Sequence, residues 1–258
     1  MTASQDVKQP ILLLADDGEP ASDVAWAWVT SHRWAGWDLQ TLTVRQTSMP
    51  TGADPRHSRF ARRDPPAEAG FTASDHLEVN GDPRRVLLGR VDASLMVMGC
   101  HHPRHLVGLP AGSTTEWLLA RPPAPLLIAR HGHGTRSVAF CADGSPHSQR
   151  AFQAFWSLPW STEVAVNLVS VDDGHTDVDQ ALKRAHAALP GDIWPAAVGR
   201  LSGSPKRELT AFVRAYQVDL VLLGARGLSG RMRTRVGSTV SALLKDGAAN
   251  LMVVPVRA

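Results

Sequence analysis

The stretch best equipped for chemistry runs from Gly224 to Thr239 and reads GARGLSGRMRTRVGST. Its glycines let the backbone approach a ligand closely and adopt positive φ, so that amide N–H groups can turn toward phosphate oxygens. It follows a buried apolar run and enters a helix predicted over Ser238 to Lys245, whose first N–H groups and partial positive charge favour an anion. Ser238 and Thr239 add hydroxyl donors. Arg226, Arg231, Arg233 and Arg235 lie within the loop and no Asp or Glu does, a sign bias that suits a triphosphate. The loop is not G-x-x-x-x-G-K-[ST], nor the dinucleotide G-x-G-x-x-G after a first strand. Read from composition alone, it is equally a glycine-rich connection carrying solvated arginines.

The elements that would position this loop occur twice. ILLLADDGEPAS (11–22) is echoed by SVAFCADGSPHS (137–148): Asp17, Gly18, Pro20 and Ser22 match Asp143, Gly144, Pro146 and Ser148 at an offset of 126. At an offset of 125, ASLMVMG (93–99) falls on VDLVLLG (218–224), Gly112, Ser113 and Thr114 on Gly237, Ser238 and Thr239, and PLLIAR (125–130) on NLMVVP (250–255). Four blocks in one order at near-constant spacing mark a duplication. The connection, about Arg130 to Thr135, is short, so two compact units are expected at 1–131 and 135–258 with their final strands facing each other.

Each copy alternates short apolar runs with amphipathic segments. A first strand ends in an Asp-Gly turn and a serine-capped helix, carrying Val24, Ala25 and Trp28 or Phe152, Phe155 and Trp156. A second strand and a weaker third follow, near Leu77–Val79 and Ala196–Leu201. Gly81-Asp82-Pro83 and Gly203-Ser204-Pro205 start a further helix with proline in its first turn. A buried strand, the glycine loop, a helix and a closing strand complete the copy. Such βαβα alternation with continuous apolar strands implies parallel sheets covered by helices on both sides.

Bulk properties narrow the partners. The 258 residues are 43% hydrophobic and 20% charged, with a formal net charge of +3 and a pI near 9.2. That is an ordinary soluble composition. No run of five basic residues marks a nucleic-acid arm, so small phosphate-bearing molecules are expected rather than polyanions. No apolar stretch reaches the roughly 18 residues of a membrane span, and the polar start lacks a signal-peptide core. Cys100 and Cys141 lie one in each copy and read as two buried free thiols, which fits a cytoplasmic setting.

The spacing G-x2-G-x9-G-[ST], filled by Gly224, Gly227, Gly237 and Ser238, resembles the signature of the universal stress protein family. The strand ending in Asp143-Gly144-Ser145, the G-S-P helix start and the closing LMVVPV strand resemble that family too. The chain is thus identified as two tandem copies of its domain. The resemblance implies two doubly wound five-stranded parallel sheets of strand order 3-2-1-4-5, adenine-nucleotide alpha-hydrolase-like, with ligands at the strands' carboxyl ends where the order reverses. It implies ATP, with or without Mg²⁺, as ligand. Asp143 would lie by adenine or ribose, Val171 would contact adenine through its backbone, and Gly224, Arg226, Gly227, Gly237, Ser238 and Thr239 would hold ribose and phosphates.

In the first copy the aligned loop, Gly99 to Thr114, keeps Gly99, Gly112 and Ser113 but replaces the second glycine by His102. Pro103 and Pro110 remove two N–H donors. This departure argues against ATP there. His101, His102 and His105 form no recognised metal-ligand spacing, and no metal site is assigned. The segment Arg56 to Pro66, with Arg59, Arg62 and Arg63, reads as a surface loop, and the eight tryptophans as core or interface residues. The function expected is that of a cytoplasmic ATP-binding regulator in stress response, without an assigned catalytic residue; a slow ATPase or autophosphorylating protein using the same site is the alternative. The fused copies leave both a monomer and a homodimer open.

Overall fold

The computed structural model describes residues 9–45, 62–100, 113–225 and 236–255. Arg226, Gly227, Arg231, Arg233 and Arg235 therefore lie outside the described residues, as do His101, His102, Pro103, His105, Pro110, Gly112, Arg56 and Arg59.

The first half contributes β1 (Ile11–Ala15), α1 (Pro20–Thr30), β2 (Asp38–Arg45), β3 (Ala73–Asn80), α2 (Pro83–Leu88), β4 (Leu95–Gly99), α3 (Thr114–Ala120) and β5 (Leu126–Ala129). The second contributes β6 (Ser137–Cys141), α4 (Pro146–Trp156), β7 (Ala165–Asp172), α5 (Val178–Ala187), β8 (Ala197–Ser202), α6 (Pro205–Ala215), β9 (Leu220–Gly224), α7 (Ser238–Asp246) and β10 (Asn250–Val254). Proline opens α1, α2, α4 and α6, where its fixed φ suits the first turn and its missing N–H is not needed.

All strands join one ten-stranded sheet in the order β3-β2-β1-β4-β5-β10-β9-β6-β7-β8. Within each half the order is 3-2-1-4-5 and the pairing parallel. The two five-stranded sets join at their final strands, which the sequence reading set facing each other. β5 and β10 pair antiparallel, with Leu127 opposite Met252, because two exposed apolar edges are satisfied by each other's ladder. The carboxyl ends of the two sets of strands consequently leave this junction in opposite directions.

Continuous burial of β1, β4, β5, β9 and β10 gives the sheet two covered faces. α1, α4 and α5 pack on one, against Leu12, Leu14 and Phe140. α2, α3, α6 and α7 pack on the other, against Leu13, Met96 and Val221. The first face holds an aromatic cluster that crosses between halves: Trp28, Trp34 and Trp160 meet edge to face at 5.8–6.0 Å. Trp117 and Trp194 lie outside the core, being 46% and 78% exposed. Both cysteines are free and buried.

α5 has no counterpart in the sequence reading. Its signals are the Asp177 side chain accepting the Gln180 amide at 3.0 Å and the stripe Ala181, Leu182 and Ala185, buried on the sheet. Among the described residues of the first half no α-helix stands between β2 and β3, only a 3-10 turn at Ala67–Ala69. There Arg63, read as part of a surface loop, instead turns inward onto Asp16 and Asp23. Asp16 occupies the place of Ala142 in the second copy, so a buried ion pair replaces an apolar contact.

Candidate functional site

The second-half site is assembled where β6, β7 and β9 end side by side. Asp143 lies two residues beyond the end of β6. Its Oδ1 accepts the Ser145 amide at 2.9 Å, an Asx turn that Gly144 permits with φ of 76°. Ser145 then caps α4 by accepting the Ser148 amide at 3.2 Å. The turn uses one carboxylate oxygen of Asp143 and leaves the half-buried side chain at the strand ends.

Val171 is the penultimate residue of β7, its side chain buried in the core. The β6–β7 ladder closes where the Ala142 amide donates to the Val169 carbonyl at 2.8 Å. Val171 lies two residues beyond this closure, and its register partner is Leu201 on the far side. The strands thus part beside Asp143.

Gly224 ends β9, and its missing side chain has a packing cause. A Cβ there would sit 2.6 Å from the His147 Cβ and 2.8 Å from the His147 backbone carbon. The bare backbone lets the start of α4 press onto the strand. Gly99 has the same task in the first half, where a Cβ would lie 2.0 Å from the Ala21 carbonyl oxygen. Sequence reasoning gave Gly224 to the ligand alone; the close approach of α4 is a further reason for bare backbone there.

Gly237 differs. A Cβ built there meets nothing within 4 Å, and its φ of −60° and ψ of 147° suit any residue. It is the N-cap of α7 and supplies no side-chain cap. The first intrahelical bond runs from the Ser241 amide to the Gly237 carbonyl at 2.9 Å. The amides of Ser238, Thr239 and Val240 belong to the helix's uncapped first turn, with the Ser238 side chain exposed, that of Thr239 half-buried and no acidic residue in the turn. This is a start that can receive an anion.

The first half keeps the Asx turn and the close-packed glycine but differs in its helix starts. Ser113, aligned with Ser238, becomes the N-cap of α3 and accepts the Glu116 amide at 3.2 Å. Glu116 adds an acid to that first turn, which satisfies the helix dipole internally and repels a phosphate. Asp17, aligned with Asp143, accepts from the Ser22 hydroxyl at 2.7 Å and from the Glu19 amide at 3.1 Å. Ser22 is therefore bound to Asp17 rather than acting as the cap of α1, whose N-cap is Glu19.

One residue at the second-half site escaped the sequence reading. Arg184, on α5, donates from Nη1 to the Gly144 carbonyl at 3.2 Å. It brings a cation to the Asp143 turn from 40 residues away in sequence, and only the position of α5 makes it visible. The Cys141 thiol, beneath this turn, is pushed up by burial and then by the Asp143 charge, which keeps it an inert core residue.

Residues 178–255 match the model of the Universal stress protein family. The whole chain is similar in fold to the crystal structure of a universal stress protein from Archaeoglobus fulgidus DSM 4304, at 18% identity and a TM-score of 0.73, covering 96% of this chain and 99% of that one. It is also similar to a putative universal stress protein from Pseudomonas aeruginosa UCBPP-PA14, at 13% identity and a TM-score of 0.61, covering 96% and 94%. No curated protein matches the chain. Among the described residues, no helix is long and apolar enough to cross a membrane.

Proposed function

We propose that this chain, whose second half carries a universal stress protein family match, is a nucleotide-binding regulator that holds one ATP at the carboxyl ends of β6, β7 and β9. The proposed division places one unit at 1–131 and the nucleotide-binding unit at 135–258. Asp143 and the backbone of Val171 face the adenosine end. Ser238, Thr239 and the open first turn of α7, together with Arg226 and Gly227 of the loop, take the phosphates. Arg184 lends further positive charge. The setting proposed is the cytoplasm, and the role is to report nucleotide state to a partner during stress.

The observation that carries this reading is the contrast between the two helix starts. α7 begins at an open glycine, uncapped and without an acid. α3 begins at a serine that caps itself and is followed by Glu116. One duplication has thus produced a start suited to an anion and a start that is already satisfied. Stoichiometry follows: one nucleotide per chain, not two.

The test is to denature the purified protein and separate the released small molecules by anion exchange. One equivalent of adenine nucleotide supports the reading. No released nucleotide, together with no thermal stabilisation by added ATP, sinks it, and two equivalents sink the asymmetry.

A further inference from the structure

Among the described residues, β3 and β8 are the end strands of the sheet, and the chain treats its two edges differently. Unpaired N–H and C=O groups along an end strand invite another strand unless charge or irregularity blunts them. β3 is blunted: Asp75 and Glu78 are exposed along it, and Glu78 pairs with Arg45. β8 reads AVGRLS. Its one ionised side chain, Arg200, is already neutralised by Asp179 of α5.

Exposed apolar side chains gather at this same edge. Among the described residues six large hydrophobic side chains are exposed, and three of them, Trp194, Val198 and Tyr216, stand at β8. Val198 shares the α5 face with Arg200, two residues on. Trp194 stands beside the end of α5, its ring 5.9 Å from that of His186. On the other face Phe212 closes over Gly199, where a Cβ would lie 2.7 Å from its ring. Tyr216 stacks on Phe212 at 4.3 Å. The edge therefore carries exposed apolar surface on both of its faces, the mark of an interaction site rather than of scattered surface residues.

We propose that β8 is the interface with a second copy of this chain, the two β8 strands pairing antiparallel about a two-fold axis normal to the sheet. Charge complementarity selects a second copy as the occupant. α5 is acidic at its start, with Asp177 and Asp179, and basic toward its end, with Lys183 and Arg184. The two-fold axis lays the two α5 helices antiparallel on one face, so that each acidic start faces a basic end. The spacing agrees. α5 packs over β7, and the two β7 strands would stand three strand spacings apart, roughly 14 Å. Packed helices stand about 8–10 Å apart, and Trp194 and Val198 fill the difference. The register follows from the same chemistry. Centred on Val198, the ladder sets Val198 against the partner's Val198 and Arg200 against the partner's Ala196. Centring on Arg200 would oppose like charges, and centring on Gly199 would set Val198 against the partner's Arg200. The chain joins its own halves by the same device, β5 against β10.

Analytical ultracentrifugation of the full chain should show a dimer. Val198→Lys should raise its dissociation constant about tenfold or more, because the symmetry sets the two introduced charges face to face. The position is half exposed and away from the Asp143 turn, so thermal stability and nucleotide content should stay those of the parent. Val198→Cys gives a second readout. Facing Cβ atoms of an antiparallel pair lie about 4.5–5.5 Å apart, so mild oxidation should yield a disulfide-linked dimer of that variant. The native thiols, Cys100 and Cys141, are buried, and Val91→Cys, exposed but in the first half before β4, should cross-link far less. A chain that stays monomeric up to about 100 μM overturns the proposal. So does a dimer unmoved by Val198→Lys, or equal cross-linking at positions 91 and 198. None of these outcomes bears on the nucleotide site, which released-nucleotide analysis tests separately.

Discussion

The Thr135 backbone amide donates to Nε2 of His32 at 3.0 Å, so the connection between the two halves closes on the end of α1 through a neutral imidazole. With Nε2 accepting, Nδ1 carries the proton and donates to the Trp28 carbonyl at 2.8 Å. Burial among Trp28, Trp34 and Trp160 is the largest influence on this histidine. Together with a smaller effect of His133, it lowers the pKa to about 4 against the opposing effect of the Trp28 carbonyl.

The pH dependence follows with a definite sign. Above pH 6.5 His32 is neutral in both folded and unfolded chains. Between 6.5 and about 4 the unfolded chain takes a proton that the native one refuses, so stability falls as pH falls. Below that window both bind it and the loss stops. A shift of this size corresponds to about 3 kcal/mol, at roughly 1.36 kcal/mol per unit. Urea unfolding across the window should show this slope in the wild type and a flatter one in His32→Phe. Equal slopes in both would contradict the assignment.

The open start of α7 makes an unusual prediction for Gly237→Asp. An aspartate at an N-cap can accept a first-turn amide, so the variant should be as stable as the parent or a few tenths of a kcal/mol better. It should nevertheless lose nucleotide, because the new carboxylate occupies and repels at the anion position. Ser113→Ala should do the reverse, costing about 1 kcal/mol with nucleotide content unchanged. Thermal denaturation paired with nucleotide quantification checks both, and a Gly237→Asp protein that still carries ATP would refute the placement.

The strand order was implied by the family resemblance; the repeat, the alternation of strands and helices and the start of α7 were legible because apolar runs, prolines at helix starts and repeated glycines leave local marks. Three things were not. α5 is carried by alanines and one leucine, too weak a stripe to stand out beside the stronger segments. The inward turn of Arg63 depends on Asp16 and Asp23, which only the fold brings to it and no local pattern records. The packing role of Gly224 was missed for a related reason. A glycine needed for close approach of a helix and a glycine needed for a ligand read identically in sequence, and only the His147 contact separates them.

That distinction is itself testable. Gly224→Ala should destabilise by about 1–3 kcal/mol through overpacking, since the added Cβ meets the His147 backbone and cannot be accommodated by a side-chain swing. Gly99→Ala should cost at least as much, its Cβ falling 2.0 Å from the Ala21 carbonyl oxygen. Chemical denaturation of both variants without nucleotide is the measurement. A Gly224→Ala protein of unchanged stability would return that residue to the ligand.

The ion pair of Asp16 with Arg63 supplies a last and sharper case. The Asp16 side chain is 4% exposed. Its carboxylate accepts from Arg63 through both oxygens and from the Gly18 amide at 2.9 Å, while Arg63 also reaches Asp23 at 2.9 Å and lies over the Trp26 ring. Arg63→Ala leaves that buried carboxylate without its counter-charge and should cost about 3–5 kcal/mol. The second half shows how the penalty can be lifted, because alanine stands at the matching position, Ala142. Combining Asp16→Ala with Arg63→Ala should therefore recover most of the lost stability, a coupling that double-mutant analysis of unfolding free energies measures directly. If the double variant is no more stable than Arg63→Ala alone, the arginine acts by packing on Trp26 rather than by neutralising Asp16.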